Sequence, residues 1–167
     1  KGKADFRALT LLGNAYRQLG ALDESEAVLG EALTISPNHH FPLYGFGRTL
    51  LVQGRYAEAA DFIGKAAAAG APPVVQLDAG EALYRLGAGE EASALLQINR
   101  QLAQEPYRAL MADFLLYQLG IGEVPTRALL ETGLSYWQAS AERFRHTAYG
   151  QALANDIRLM QTWKGER

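Results

Sequence analysis

The chain has 167 residues, of which 49% are hydrophobic and 20% are charged, a composition typical of one globular domain of ordinary size. Its net charge of -2 argues against a general affinity for nucleic acid or for an anionic membrane. No apolar run approaches the roughly 18 residues of a membrane-spanning helix, and the lack of cysteine excludes disulfides, thiol catalysis and thiolate metal sites.

An internal repeat runs through the first hundred or so residues. The segment 12–20 aligns with 46–54 at a spacing of 34 residues, and the segment 79–87 follows 33 residues further on. Such a period is the signature of a stacked repeat protein. One proline closes each unit: Pro37, Pro72 and Pro106.

Each unit contains two segments with helical periodicity. In the first segment, Leu9, Leu12, Tyr16 and Leu19 recur at the spacing of one helix face. A glycine follows each first segment, where a left-handed residue ends a helix, at Gly20, Gly54, Gly87 and Gly120. We therefore predict antiparallel helix pairs that bury their apolar faces by stacking.

Glycine also recurs inside the predicted first helices, where it costs about 1 kcal/mol relative to alanine. Because this unfavourable residue recurs at the same position of each repeat, we infer that the partner helix approaches closely there. We expect the glycines Gly13, Gly47 and Gly80 to meet the small residues Ser25, Ala59 and Ala92.

The motif positions of the first unit are Leu9, Leu12, Gly13, Tyr16, Leu29, Ala32 and Pro37, and those of the second are Leu43, Gly47, Leu50, Ala59, Ile63 and Ala66. This pattern resembles the tetratricopeptide repeat family; the third unit departs from it at Gln76 and Asn99. The resemblance implies an all-α, right-handed superhelical array of antiparallel helix pairs. We expect repeats at 6–39, 40–72 and 73–105 of the single domain 1–167.

Beyond residue 105 the pattern fades. We expect a degenerate fourth unit at 106–139, with one helix from Tyr107 to Leu119. Its partner should start near Pro125 and run through Trp137, without the motif's small residue.

A capping helix is expected in residues 140–167, with Ser140 either as its N-cap or inside one continuous helix. Its apolar stripe is Phe144, Ala148, Ala152, Ile157 and Met160. We expect this helix, or a partner helix, to cover the apolar stripe of the fourth unit, Leu110, Phe114 and Tyr117.

The resemblance also implies that first helices line a concave groove, where an exposed stripe determines specificity. Arg17 and Arg48 are suited to grip a carboxylate, and Tyr44 offers rigid contact area; ordinary solvated faces are the alternative. The predicted groove residues are Arg7, Thr10, Asn14 and Arg17 in unit one, Phe41, Tyr44 and Arg48 in unit two, and Leu77, Glu81, Tyr84 and Arg85 in unit three.

Some members of the family bind the acidic tail of heat-shock chaperones through a clamp of Lys, Asn and Arg. This sequence keeps Asn14 but departs from the clamp at Thr10, Gly45, Val74 and Asp78. We therefore do not expect that partner.

No catalytic or metal site is predicted. His39 and His40 are adjacent in a predicted turn and cannot share a helix face, and no nucleophile, base and orienting acid can be assembled. We therefore predict a protein- or peptide-binding scaffold that is not an enzyme and needs no cofactor. The alternatives are a homo-oligomerisation module and the helical domain of a larger enzyme.

The compartment follows only weakly from the sequence. We favour the cytoplasm. A periplasmic or membrane-tethered location is the alternative if a segment has been removed ahead of Lys1.

Overall fold

The structure, a computed structural model, describes residues 5–163, which form nine α-helices and no strand. No helix in that range is both long and apolar enough to cross a membrane. In chain order the helices are α1 (Phe6–Leu19), α2 (Leu22–Ile35), α3 (His40–Gln53), α4 (Tyr56–Ala68), α5 (Val75–Leu86), α6 (Gly89–Leu102), α7 (Pro106–Gln118), α8 (Arg127–Arg143) and α9 (Ala148–Thr162).

Three helix hairpins make up the first part of the molecule: α1 with α2, α3 with α4, and α5 with α6. A glycine in the left-handed conformation ends each first helix. At the end of α1, Gly20 has φ 81° and the N–H of Ala21 donates to the carbonyl of Tyr16 at 3.0 Å. This cap leaves only a short turn before α2, so the two helices lie antiparallel.

The glycines inside the first helices lie against large side chains of the second helices. A Cβ on Gly13 would lie 2.4 Å from Cγ of Leu29, and one on Gly47 would lie 2.6 Å from Cγ1 of Ile63. The predicted close approach is therefore present, and the nearest atoms belong to these large side chains. The expected small residues also take part: Ser25 donates its hydroxyl to the carbonyl of Gly13 at 2.8 Å, and a Cβ on Gly80 would lie 3.4 Å from the carbonyl oxygen of Ala92.

The first helices of successive hairpins lie side by side. Helix α1 contacts α3, α3 contacts α5, and α5 contacts α7, while α2, α4 and α6 join one hairpin to the next. A buried pair of hydroxyls also joins the first two hairpins, because Ser25 Oγ lies 2.8 Å from Thr49 Oγ1. The row of first helices forms one wall of the molecule.

The fourth hairpin, α7 with α8, reverses the arrangement of small and large residues. A Cβ on Gly133 of α8 would lie 2.9 Å from Cβ of Leu110 and 2.9 Å from the carbonyl oxygen of Pro106. The second helix was expected to lack the motif's small residue, yet Gly133 supplies a small residue at this contact. The glycine is on the second helix, and the large side chain is on the first.

The boundary between the last two helices differs from the predicted one. Ser140 is neither an N-cap nor a break: it lies inside α8, and its hydroxyl donates to the carbonyl of Tyr136 at 3.0 Å. Helix α8 ends at Arg143, and Thr147 caps α9 by accepting the N–H of Gly150 at 3.0 Å. Residues 164–167 of the predicted capping helix lie outside the described range.

Helix α9 packs across the row of first helices. Trp163, at its end, lies with its ring 5.5 Å from that of Phe114 and 5.2 Å from that of Tyr117. The expected cover is present for Phe114, which is buried, but Tyr117 remains 39% exposed. Leu110 is covered by α8 instead. The buried face of α9 is Tyr149, Gly150, Leu153, Ile157 and Met160, whereas Ala148 of the predicted stripe is exposed.

Candidate functional site

Helix α9 closes part of the concave side. Arg85 of α5 donates from Nη2 to Oδ2 of Asp156 at 2.9 Å, and Tyr149 donates its hydroxyl to Glu81 at 3.2 Å. Burial raises the pKa of Glu81. The expectation that Glu81 and Arg85 face an open groove is wrong, because the last helix covers both.

Two more residues of the predicted groove are buried. Thr10 donates its hydroxyl to the carbonyl of Phe6 at 2.6 Å, a bond along its own helix. Leu77 belongs to the hydrophobic core. Their predicted exposure is therefore wrong: Thr10 satisfies its polarity within α1, and Leu77 packs inward.

The remaining predicted residues are at least partly accessible. Arg7 is exposed, with its guanidinium 5.5 Å from the centre of the Phe6 ring. Asn14 and Phe41 are half-buried on α1 and α3, and Tyr84 is half-buried beside α9.

Tyr44, Arg48 and Asp78 form a polar cluster between α3 and α5. Tyr44 donates its hydroxyl to Oδ2 of Asp78 at 2.5 Å, and Nε of Arg48 lies 3.0 Å from the same oxygen. The Asp78 carboxylate raises the pKa of Arg48, and burial followed by this carboxylate raises the pKa of Tyr44. A buried carboxylate therefore neutralises Arg48 at neutral pH.

Arg17 has no such neutralising partner. Arg17 is only 6% exposed, and its Nε makes no hydrogen bond. No carboxylate within residues 5–163 forms an ion pair with it. Burial, followed by the nearby charge of Arg48, lowers its pKa to about 10. The guanidinium thus remains charged at neutral pH in a place where an unpaired charge is costly.

Arg17 and the polar cluster face a cavity of about 420 Å³ on the concave side. The ends of α1 and α3 form one wall, and the C-terminal part of α8 with the start of α9 forms the other. Four guanidinium groups and one carboxylate line it. The lining residues are Arg17, Gln18, Arg48, Leu51, Val52, Asp78, Tyr107, Arg108, Tyr136, Trp137, Ser140, Arg143, Phe144 and Tyr149.

Aromatic rings make the α8 wall rigid. Tyr136 stacks on Tyr107 with ring centres 3.8 Å apart, and Trp137 meets Tyr136 edge to face at 5.1 Å. The indole N–H of Trp137 donates to the carbonyl of Tyr107 at 2.7 Å. The indole polar group is thus satisfied within the protein, and this wall offers ring surface to the cavity.

The α8 wall was not predicted from the sequence. Tyr136, Trp137 and Arg143 of α8 were outside the predicted groove, because the repeat pattern places a second helix on the opposite side. Arg108 of α7 was also outside it. In the structure the end of α8 instead reaches back to the end of α1, where the carbonyl oxygen of Arg143 would lie 3.9 Å from a Cβ on Gly20. No periodicity in residues 106–143 predicts this contact.

His39 and His40 have a local role. His39 caps α3 by accepting the N–H of Phe41 at 3.1 Å on Nδ1, and the two imidazole rings stack at 4.7 Å. Within residues 5–163, no group of three or more His, Asp or Glu side chains is arranged to hold a metal ion.

Comparison with known proteins identifies a matching repeat and a similar fold. The tetratricopeptide repeat pattern matches residues 6–39. YrrB, a tetratricopeptide repeat protein with an unusual peptide-binding site, has a similar structure, with a TM-score of 0.59 and 21% identity over 94% of this chain and 78% of that chain. No curated protein sequence matches this chain. Residues 6–39 are thus similar to a tetratricopeptide repeat, and residues 5–163 have an all-α fold of stacked helix hairpins similar to that of a tetratricopeptide repeat protein.

Proposed function

We propose that this protein is an interaction scaffold that binds an acidic segment of a partner protein or peptide at the mouth of the concave cavity. The observation that carries the proposal is the charge of the cavity wall. Four arginines and one aspartate line it in a chain whose net charge is -2. A local excess of positive charge on an acidic protein favours negatively charged ligands at that place.

The rim of the cavity has the side chains expected of a protein-binding surface. Arg143 is exposed, and no residue of the range 5–163 forms an ion pair with it. Tyr136 is also exposed, and its ring is held by stacking on Tyr107. Arginine and aromatic residues are common anchors at interfaces, and an aromatic ring that is already held in place loses little side-chain entropy on binding.

The accessible part of the predicted groove extends this surface. Asn14 and Phe41 lie on α1 and α3, whose ends reach the cavity, and Arg7 lies at the start of α1. YrrB, which has a similar fold, has a peptide-binding site. A peptide that places an acidic side chain at the cavity mouth can therefore continue along α1 and α3.

The proposal is tested with two matched peptides of leucine and glutamate, one of them with every glutamate replaced by glutamine, each carrying an uncharged dye. We expect fluorescence anisotropy to give at least about tenfold tighter binding of the acidic peptide, which corresponds to about 1.4 kcal/mol. The variant Arg143→Gln should lose most of that preference.

The matched control is Arg127→Gln, at the other end of α8, because Arg127 is exposed and, among residues 5–163, pairs only with Glu131 of the same helix. It should bind like the wild type. Equal affinity for both peptides, or equal effects of the two substitutions, would refute the proposal.

A second function, homo-oligomerisation, is favoured by one surface. Leu11 and Leu19 of α1 are 63% and 80% exposed, with Leu12 beside them at 45%. Adjacent exposed leucines are typical of a contact surface. If this face joins two copies, light scattering will detect a concentration-dependent mass that Leu11→Glu abolishes; a constant monomer mass for the wild type rules this function out.

A further inference from the structure

We propose that the concave cavity is also a binding site for a small molecule that carries one carboxylate or phosphate group on a flat apolar body, with Arg17 and Arg48 holding the oxyanion. This inference does not depend on peptide binding at the rim. It concerns the interior of the cavity, where Nε of Arg17 is buried and makes no hydrogen bond.

The first argument is the buried charge of Arg17, which the Asp78 carboxylate attracts without forming an ion pair with it. Buried charges in proteins are normally paired, and arginine in particular presents a fork of donors to a planar oxyanion. Arg48 is paired with Asp78, but Arg17 is not, and both line the same cavity. A bound oxyanion would supply the missing partner for Arg17.

The second argument is access. The side chain of Arg48 remains 30% exposed although Asp78 holds it, and the cavity leads from it to Arg17. A ligand therefore reaches both guanidinium groups without displacing Asp78. The cavity volume of about 420 Å³ is within the range of small-molecule pockets.

The third argument concerns the body of the ligand. Leu51 and Val52 of α3 border the cavity on one side, and the rings of Trp137 and Tyr149 border it on others. The indole N–H of Trp137 already donates to the carbonyl of Tyr107, and the hydroxyl of Tyr149 already donates to Glu81. These side chains form the smaller, apolar part of a lining that is otherwise mostly polar, so a planar body can contact them while its oxyanion meets the guanidinium groups.

The site differs from the clamp that some family members use for chaperone tails. That clamp would use the positions of Thr10, Asn14, Gly45, Val74 and Asp78. The proposed site uses Arg17 and Arg48, and a wall from α8 and α9 encloses it. The enclosure leaves room for a compact molecule rather than for a chain that passes through.

The test uses benzoate, its neutral analogue benzamide, phenyl phosphate and inorganic phosphate as probes in isothermal titration calorimetry. We expect benzoate or phenyl phosphate to bind at least about tenfold more tightly than benzamide. Arg17→Met should weaken that binding about tenfold or more. Arg17→Lys should also weaken it, because lysine keeps the charge but lacks the planar fork.

Arg127→Met is the control, since it removes an equal charge from the outer face of α8. Circular dichroism checks that each variant is folded. The inference is overturned if benzoate and benzamide bind alike, if neither anion binds at millimolar concentration, or if Arg17→Met binds as the wild type does. Inorganic phosphate that binds as tightly as phenyl phosphate would overturn the flat-body requirement.

Competition separates this inference from the proposed function. If benzoate binds but the acidic peptide does not, the small-molecule site stands and the peptide proposal fails. If the peptide binds and benzoate neither binds nor displaces it, the peptide proposal stands and the small-molecule site fails.

Discussion

Arg85 of α5 and Asp156 of α9 form an ion pair at 2.9 Å between two residues that are 71 positions apart in the chain. Glu81 shares the same guanidinium at 2.6 Å, and Tyr149 donates to Glu81 from the start of α9. The last helix is therefore fastened to the wall of first helices by a buried polar network as well as by apolar packing. This attachment decides how much of the concave side stays open.

Removing the last helix should expose apolar surface. A chain that ends at Arg145 loses the ring of Trp163 from Phe114 and the buried side chains of Leu153 and Met160 from the core. We expect it to bind a hydrophobic dye and to self-associate, as measured by dye fluorescence and light scattering. Trp163→Ala in the full chain should have a weaker effect of the same kind; a monomeric truncated chain that binds no dye would contradict this prediction.

Replacing Arg17 should stabilise the unliganded protein. Arg17→Met removes a buried charge that has no partner and fills the same space with an apolar side chain, so we expect a gain of about 1–3 kcal/mol in the free energy of unfolding at neutral pH. Urea denaturation measures it. The same substitution on exposed Arg127 should change stability by less than about 0.5 kcal/mol. A loss of stability in Arg17→Met would mean that Arg17 has a structural role.

Replacing Asp78 should act in two opposite ways. Asp78→Asn leaves Arg48 without its counter-charge and weakens the bond to Tyr44, so we expect a loss of about 1–3 kcal/mol in the free energy of unfolding. The same substitution frees a second guanidinium in the cavity, and benzoate should then bind more tightly than to the wild type. Calorimetry that detects weaker benzoate binding in a folded variant would contradict the second expectation.

Adding a methyl group to Gly13 should destabilise the first hairpin. Alanine is favoured over glycine in a helix by about 1 kcal/mol, but a Cβ at Gly13 would lie 2.4 Å from Leu29 Cγ. We expect Gly13→Ala to lower the free energy of unfolding by about 1–3 kcal/mol through overpacking.

Gly64 of α4 provides the matched control, because nothing lies within 4 Å of a Cβ built there. Gly64→Ala should therefore stabilise the protein by up to about 1 kcal/mol. Thermal denaturation distinguishes the two substitutions by sign, and a stabilising Gly13→Ala would show that the hairpin opens easily to accept the methyl group.

Much of the fold was predictable because its determinants are local. Apolar residues at helical spacing and the glycine that follows each first helix are features of short segments of the sequence. These features recur every 33 or 34 residues. They predicted the three hairpins of α1 to α6. The close approach at Gly13 was also predictable, because glycine inside a helix is unfavourable unless the position requires a small residue. The contact with Leu29 was not predictable, because it depends on how the two helices are rotated relative to each other.

The candidate site was predictable only in part. Arg17, Tyr44 and Arg48 were identified from their positions on first helices, whereas the burial of Glu81 and the wall that contains Trp137 were not. The amino-acid sequence by itself determined the stacked hairpins and the arginines on their inner side. Only the tertiary structure decided that α8 and α9 return over that side, because the contacts that hold them join residues far apart in the chain and leave no periodic trace.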